Sequence, residues 1–123
     1  MKQLEKHPKN FLYNYRCKLV RVVDGDTVIA NIDLGFHTWR EVVLRLADID
    51  APEIRTKDLE EKKKGYKSAH RLELELLDEN PDKIFYIESK GVDSFGRSIA
   101  TIYTEQGENI NSVLLNENLA EEW

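Results

Sequence analysis

Short runs of apolar and β-branched residues, broken by Gly, Pro and Asp, fill the first third of this 123-residue chain and return after residue 82. Arg16 to Val23 and Thr27 to Leu34 flank Asp24-Gly25-Asp26, and an Asp-Gly step between two such runs predicts a hairpin. Arg40 to Ala47 reads as a third strand, with Val43 facing oppositely to Val42 and Leu44, and Pro52 stops further ladder pairing. Residues 54–64 are densely charged and read as a loop. Ala69, Leu72 and Leu76 then fall at helical spacing, with Leu77 adjoining, and predict a helix from Gly65 to Asn80 that Pro81 ends. The alternation from Leu72 to Leu76 also fits a strand. Lys83 to Glu88 and Ser98 to Thr104 are two more strands, joined by a loop holding Gly91, Asp93 and Gly96. A closing helix spans Asn109 to Glu117 on the stripe Ile110, Val113, Leu114 and Leu119, and Asn118 sits where a left-handed cap is wanted. Five strands, a helix between the third and fourth, and a closing helix predict a mainly β protein with helices (α+β). The expected architecture is an OB-type five-stranded barrel.

The length suits one domain with its own core, expected over residues 16–123 after an N-terminal extension at 1–15. A single cysteine, Cys17, excludes an internal disulfide and reads as a small buried hydrophobe. Residues 1–10 are polar and lack the apolar core of a signal peptide. That gives a cytoplasmic reading for a complete chain and a secreted one for a trimmed chain. No run is long and apolar enough to span a bilayer, so no membrane partner is expected. The net charge of −5 argues against nucleic acid, but its distribution does not. Residues 1–71 carry 15 Lys and Arg against 11 Asp and Glu, whereas residues 72–123 carry 3 against 12. Arg55, Lys57, Lys62, Lys63, Lys64, Lys67 and Arg71 follow closely on Glu53. They read either as a solvated face or as an electrostatic guide for a polyanion.

The candidate chemistry lies in four short segments: Asp24-Gly25-Asp26-Thr27-Val28, Arg45, Asp50-Ala51-Pro52-Glu53, and Asp93-Ser94-Phe95-Gly96-Arg97. A hairpin turn accounts for Asp24 and Gly25 but less well for Asp26, since aspartate is depleted in strands. An EF-hand is excluded, because its sixth position would be Ile29 or Glu53 rather than glycine. Asp48, Asp50 and Glu53 repel one another unless a cation or arginines neutralise them; the other reading of the segment is an acidic surface turn. Arg45 lies inside an apolar run, with Val43 and Ala47 at two-residue spacing, and is expected to point into the barrel or its mouth, where a charge needs a partner. Gly96-Arg97 reads equally as a hairpin turn with a solvated arginine. Trp39 and Trp123 read as packing or edge residues, and the three histidines lack metal-ligand spacing. Carboxylates hold a hard cation and arginines fork onto phosphate, so the set points to phosphodiester chemistry.

Together, the segments V-V-D-G-D-T-V, L-R-L-A-D-I-D-A-P-E, D-S-F-G-R-S-I-A-T-I-Y and the final N-x-x-L-L-x-x-x-L-A resemble the staphylococcal-type (micrococcal or thermonuclease) family, in that order and over about Cys17 to Ala120. The resemblance implies an OB-type barrel with three helices. It implies Ca²⁺ bound by the carboxylates of Asp26 and Asp50 and the backbone carbonyl of Ala51, with Asp24 in support. It implies Arg45 and Arg97 on the scissile phosphate, and Glu53 orienting or deprotonating the attacking water. The implied activity is a calcium-dependent endonuclease, acting as a monomer on DNA and RNA with single strands preferred and leaving 3′-phosphate and 5′-hydroxyl ends. The competing reading is a noncatalytic nuclease-like module that binds nucleic acid or protein. At Ser94 and Phe95, the expected substrate-binding positions, the family commonly has Lys-Tyr, and the tyrosines that usually follow the last helix do not appear before Trp123; a weaker grip on short substrates is expected.

Overall fold

The computed structural model describes residues 13–77 and 82–123. Most of the expected extension, His7, and the Asn80–Pro81 helix end lie outside these residues. Five strands close a barrel in the order β1 (Asn14–Asp24), β2 (Thr27–Asp33), β3 (Trp39–Leu46), β6 (Ser98–Tyr103) and β5 (Ile84–Val92). Every pairing is antiparallel except β3 with β6. Helix α1 (Leu59–Leu77) lies between β3 and β5, and α2 (Ile110–Asn116) follows β6. The fold is the expected OB-type barrel of the α+β class.

Strand alternation builds the core. Cys17, Leu19, Val28, Ala30, Leu44, Leu46, Phe85, Ile87, Ala100 and Ile102 fill the barrel, while Leu72 and Leu76 of α1 and Ile110 and Leu114 of α2 pack against it. Burial, followed by the charge of Asp33, pushes the Cys17 thiol up to about 12. The thiol is therefore inert packing rather than a nucleophile.

Two expectations need correction. Helix α1 begins at Leu59 and not Gly65, so residues 59–64 of the charged stretch read as loop form its first turns, while 54–58 lie outside the helix as expected. Asp58 caps it, accepting the N–H groups of Glu60 and Glu61, a side-chain role that hydrophobic periodicity does not register. The strand alternative for 72–76 is not adopted, because Leu72 and Leu76 are buried four residues apart while Leu74 is exposed. Pro52 does stop ladder pairing, as expected, but one short strand not read from the sequence comes before it. A two-residue β4 (Ile49–Asp50) pairs with β7 (Glu121–Glu122) beyond the last helix. The turn into β4 places Asp48 at φ +63, a left-handed conformation that aspartate tolerates.

Helix α2 ends as its sequence suggests. Asn118 is left-handed at φ +59, and the N–H groups of Asn118 and Leu119 return to the carbonyls of Leu115 and Leu114. Asn109 caps the other end by accepting the N–H of Ser112. These caps fix where the chain after α2 runs, and that chain covers the candidate site.

Candidate functional site

The β1–β2 hairpin turns through Gly25 and Asp26. Gly25 does not adopt positive φ; its need is space. A Cβ there would lie 2.5 Å from the Ser68 Cβ and 3.0 Å from the Ala51 Cβ. The turn is thus pressed between α1 and the segment after β4. Gly65 of α1 serves the same purpose from the other side, since its Cβ would come within 2.8 Å of the Glu53 backbone. Two glycines therefore let the helix hold the 24–26 turn and the 50–54 segment together. The hydroxyl of Ser68 fastens the helix to the carbonyl of Leu119.

Asp26 is buried at the centre. Its Oδ1 accepts the Thr27 hydroxyl at 2.8 Å and its Oδ2 accepts the Ala51 N–H at 2.8 Å. The same Oδ2 lies 3.3 Å from Arg45 Nη1, and Arg45 Nη2 is 3.2 Å from Asp50 Oδ1. Arg45 Nη1 also donates to the carbonyls of Ile49, at 2.8 Å, and Leu46, at 3.3 Å. One guanidinium therefore joins the hairpin turn to the segment after β3.

Of the two directions expected for Arg45, into the barrel or its mouth, the first is not taken. It shares a face of β3 with exposed Val43, while Leu44 and Leu46 take the core. It is nonetheless only 6% exposed, because β4 and the chain after α2 cover that outer face. The Trp123 ring lies 5.3 Å from its guanidinium, and the Trp123 N–H donates to the Asp48 carbonyl. Trp123 is thus the cover of Arg45, a contact between distant segments with no local signal in the sequence.

Asp24 stands behind Asp26 and accepts the Ile54 N–H at 3.2 Å. Burial pushes the Asp24 carboxyl above its usual range, against that hydrogen bond, and the Asp26 charge pushes the same way. Glu53 lies between Ala51 and Ile54 with its side chain exposed.

Arg97 immediately precedes β6, one residue before the Leu44–Ser98 pair that opens the parallel pairing of β6 with β3. It is a hairpin-turn residue, as one reading held, but not a freely solvated one. Asp93 Oδ2 accepts its Nε at 2.7 Å, and the Phe95 ring lies 5.4 Å from the guanidinium. Asp93 Oδ1 also accepts the N–H groups of Phe95 and Arg97, while Gly96 supplies the positive φ of the turn. Burial raises the Asp93 carboxyl, but these N–H groups and the guanidinium outweigh it and hold the carboxyl below its usual range. The role of Asp93 was legible only as an acid four residues before an arginine. Ser94 and Phe95 are exposed at the loop tip.

The protein thus holds each arginine by one edge. Arg45 is fixed through its two Nη atoms, Nη1 on the Ile49 and Leu46 carbonyls and Nη2 on Asp50, and Arg97 through Nε. Among the described residues no hydrogen bond engages Nε of Arg45 or the two Nη atoms of Arg97. The donor set suits a hard cation in part: Asp26 and Asp50 converge on one guanidinium, so their oxygens lie near one another. Among the described residues no cluster of three or more Asp, Glu, His or Cys forms a metal cage. A cation here would take two carboxylates and complete its shell with backbone carbonyl, water and substrate.

The family model of staphylococcal nuclease homologues matches residues 43–123, a span that includes Arg45, Asp50, Glu53 and Arg97. The chain belongs to the staphylococcal nuclease family. Asp24 and Asp26 precede the matched span. A micrococcal nuclease of Shigella flexneri is 30% identical over 115 residues, covering 87% of this chain and 58% of the relative. An uncharacterized protein of Methanocaldococcus jannaschii is 32% identical over 115 residues, covering 79% and 52%. The chain thus spans little more than half the length of these two relatives.

Proposed function

We propose that this nuclease-family chain is a calcium-dependent phosphodiesterase, active as a monomer on DNA and RNA with single strands preferred. The observation that carries the reading is the network in which Asp26 and Asp50 flank the Arg45 guanidinium, with Arg97 held by Asp93 directly before β6, the strand that pairs with β3. Asp26, Asp50 and the carbonyl of Ala51 would hold the cation, with Asp24 supporting the turn that carries Asp26. Bound Ca²⁺ supplies positive charge against the anionic phosphate.

The chain's own groups do the rest. Arg45 and Arg97, each anchored by one edge, offer their remaining N–H groups to phosphate oxygens, strongest as the phosphorus gains its fifth ligand. Glu53 takes a proton from the attacking water. The water oxygen bonds to phosphorus, the bond to the 5′ oxygen breaks, and that oxygen leaves with a proton as a 5′-hydroxyl. The 3′ side keeps the phosphate. Neither the arginines nor the acids read base edges, which accords with tolerance of both sugars. Ser94 and Phe95 contact the strand beyond the cleaved bond, offering one hydroxyl and one ring.

Digestion of single-stranded DNA with calcium, with magnesium and with chelator tests the reading. Cleavage is expected with calcium, less with magnesium and none with chelator, since two carboxylates suit the larger, less regular calcium shell. Cleavage that survives chelation, or that runs as fast in magnesium alone, overturns it. No cleavage with any metal leaves the binding module as the function.

A further inference from the structure

We infer that the solvent face of α1 is a second contact surface for the single-stranded nucleic acid, extending the track beyond the cleaved bond; this rests on the nuclease reading above. Helix α1 buries Gly65, Ser68, Leu72 and Leu76. At 3.6 residues per turn the opposite face carries Leu59, Lys63, Tyr66, Lys67, His70 and Leu74. That face is neither ordinary nor neutral. Leu59 is 73% and Tyr66 56% exposed, and no carboxylate occurs between Glu61 and Glu73. Among the described residues no salt bridge engages Lys63, Lys64 or Lys67, whereas Arg71, one turn further on, is held by Glu75 and Glu117. In a chain of net charge −5, these three lysines thus stand without an ion-pair partner among the described residues.

The stripe adjoins the site. Lys64 and Lys67 are the basic residues of a cleft of about 560 Å³ that runs past Pro52 and is also lined by the carboxylates of Asp50, Asp58, Glu60, Glu61 and Glu121, so a strand gains attraction only where it passes onto the lysine face. Lys63 and Lys67 are one turn apart, about 6 Å along the axis, with Tyr66 between them. Cationic side chains flanking an exposed ring suit a strand that presents phosphates and unpaired bases alternately, since ammonium groups take phosphate and a ring stacks on any base. A strand leaving the site past Asp50 and Pro52 meets Lys64 and Lys67 first, then Tyr66 and Lys63.

Binding in chelator tests this without requiring catalysis. Anisotropy of labelled single-stranded oligothymidylate is followed against salt for the wild type, Lys63→Gln/Lys67→Gln, Tyr66→Ala and a control, Lys18→Gln, on the outer face of β1. The double lysine variant should bind several-fold more weakly at low salt, and its slope of log Kd against log salt should fall by about 1.4, roughly 0.7 per lysine. Tyr66→Ala should weaken binding about fivefold or more, and Lys18→Gln should change neither quantity. Unchanged Kd and slope in the α1 variants overturn the inference, as does binding of these variants' parent to anionic phospholipid vesicles but not to the oligonucleotide. Retained, α1-dependent binding without cleavage in calcium upholds the surface while removing the nuclease reading.

Discussion

At the scale of single residues, the candidate site anchors its arginines. Asp93 holds Arg97 through Nε, and Phe95 covers its plane, so under the proposed function the guanidinium would be fixed before a phosphate arrives. Arg97→Lys keeps the charge but loses both the Asp93 bond through Nε and the planar fork. Turnover on single-stranded DNA should fall about a hundredfold or more while the urea midpoint stays close to wild type. A variant that cleaves normally, or that unfolds, would show Arg97 to be idle or structural. Asp24 gives a second prediction. Its folded pKa lies above the unfolded value, chiefly through burial, so ionising it opposes folding. Its contribution to stability is greatest below the unfolded pKa and declines as pH rises through the folded one. Asp24→Asn keeps an oxygen for the Ile54 N–H and carries no charge. In chelator its Tm should exceed wild type at neutral pH, and the gap should close on acidification. A lower Tm at pH 7 would sink this account.

Elements meet through small residues at close approach. Helix α1 comes near enough to touch backbone only because Gly65 and Gly25 lack a Cβ. In an exposed helix interior, Gly→Ala gains about 1 kcal/mol. Here the new methyl would meet the carbonyl of Glu53 at 2.8 Å, and backbone gives way reluctantly. Gly65→Ala should therefore destabilise by about 1–3 kcal/mol, read as a lowered urea midpoint, and reduce cleavage by shifting Glu53. A gain in stability would mean that the helix can slide, and that its packing on the 50–54 segment is loose.

Over the whole molecule, α2 joins the barrel to the site through one buried side chain. Asn111 donates to the Ala47 carbonyl at 2.9 Å and accepts the Ile102 N–H at 3.1 Å, bridging the end of β3, β6 and the closing helix. Asn111→Ala would leave both backbone groups buried and unpaired, at a cost of about 1–3 kcal/mol for each such group. Chemical denaturation should show at least the lower figure; a change within error would mean that water replaces the amide. Arg71 adds a peripheral clamp, tying α1 to Glu117 at the end of α2 at 2.9 Å. Glu117 is held below its usual range by that guanidinium. The clamp is present at neutral pH and is lost as pH falls through the Glu117 value, and its exposure makes it weak.

The sequence determined the elements and the cast of residues. Alternation over 16–34 and 40–47, turn chemistry at Asp24-Gly25 and Asp93 to Gly96, and the apolar stripes of two helices are local signals, because strand and helix periods are local geometry. Quoted together, the four motifs also carried the resemblance that led to the family. The start of α1 was hidden, since a capping aspartate before a charged turn resembles a loop when only apolar periodicity is read. The direction of Arg45 was only partly legible for a related reason. Strand parity divides two faces but does not say which is covered, and Arg45 is buried on the outer one by β4 and Trp123, far away in the chain. The purpose of Gly25 and Gly65 was likewise undetermined, because both glycines answer to a neighbour's backbone or side chain rather than to their own φ. Tertiary structure alone decided which acids share a guanidinium, which lysines lack a carboxylate, and how near the helix stands to the turn. Those distances, Asp26 to Arg45 and Gly25 to Ser68 among them, join separate segments and are set only when the barrel closes and the chain after α2 folds back across it.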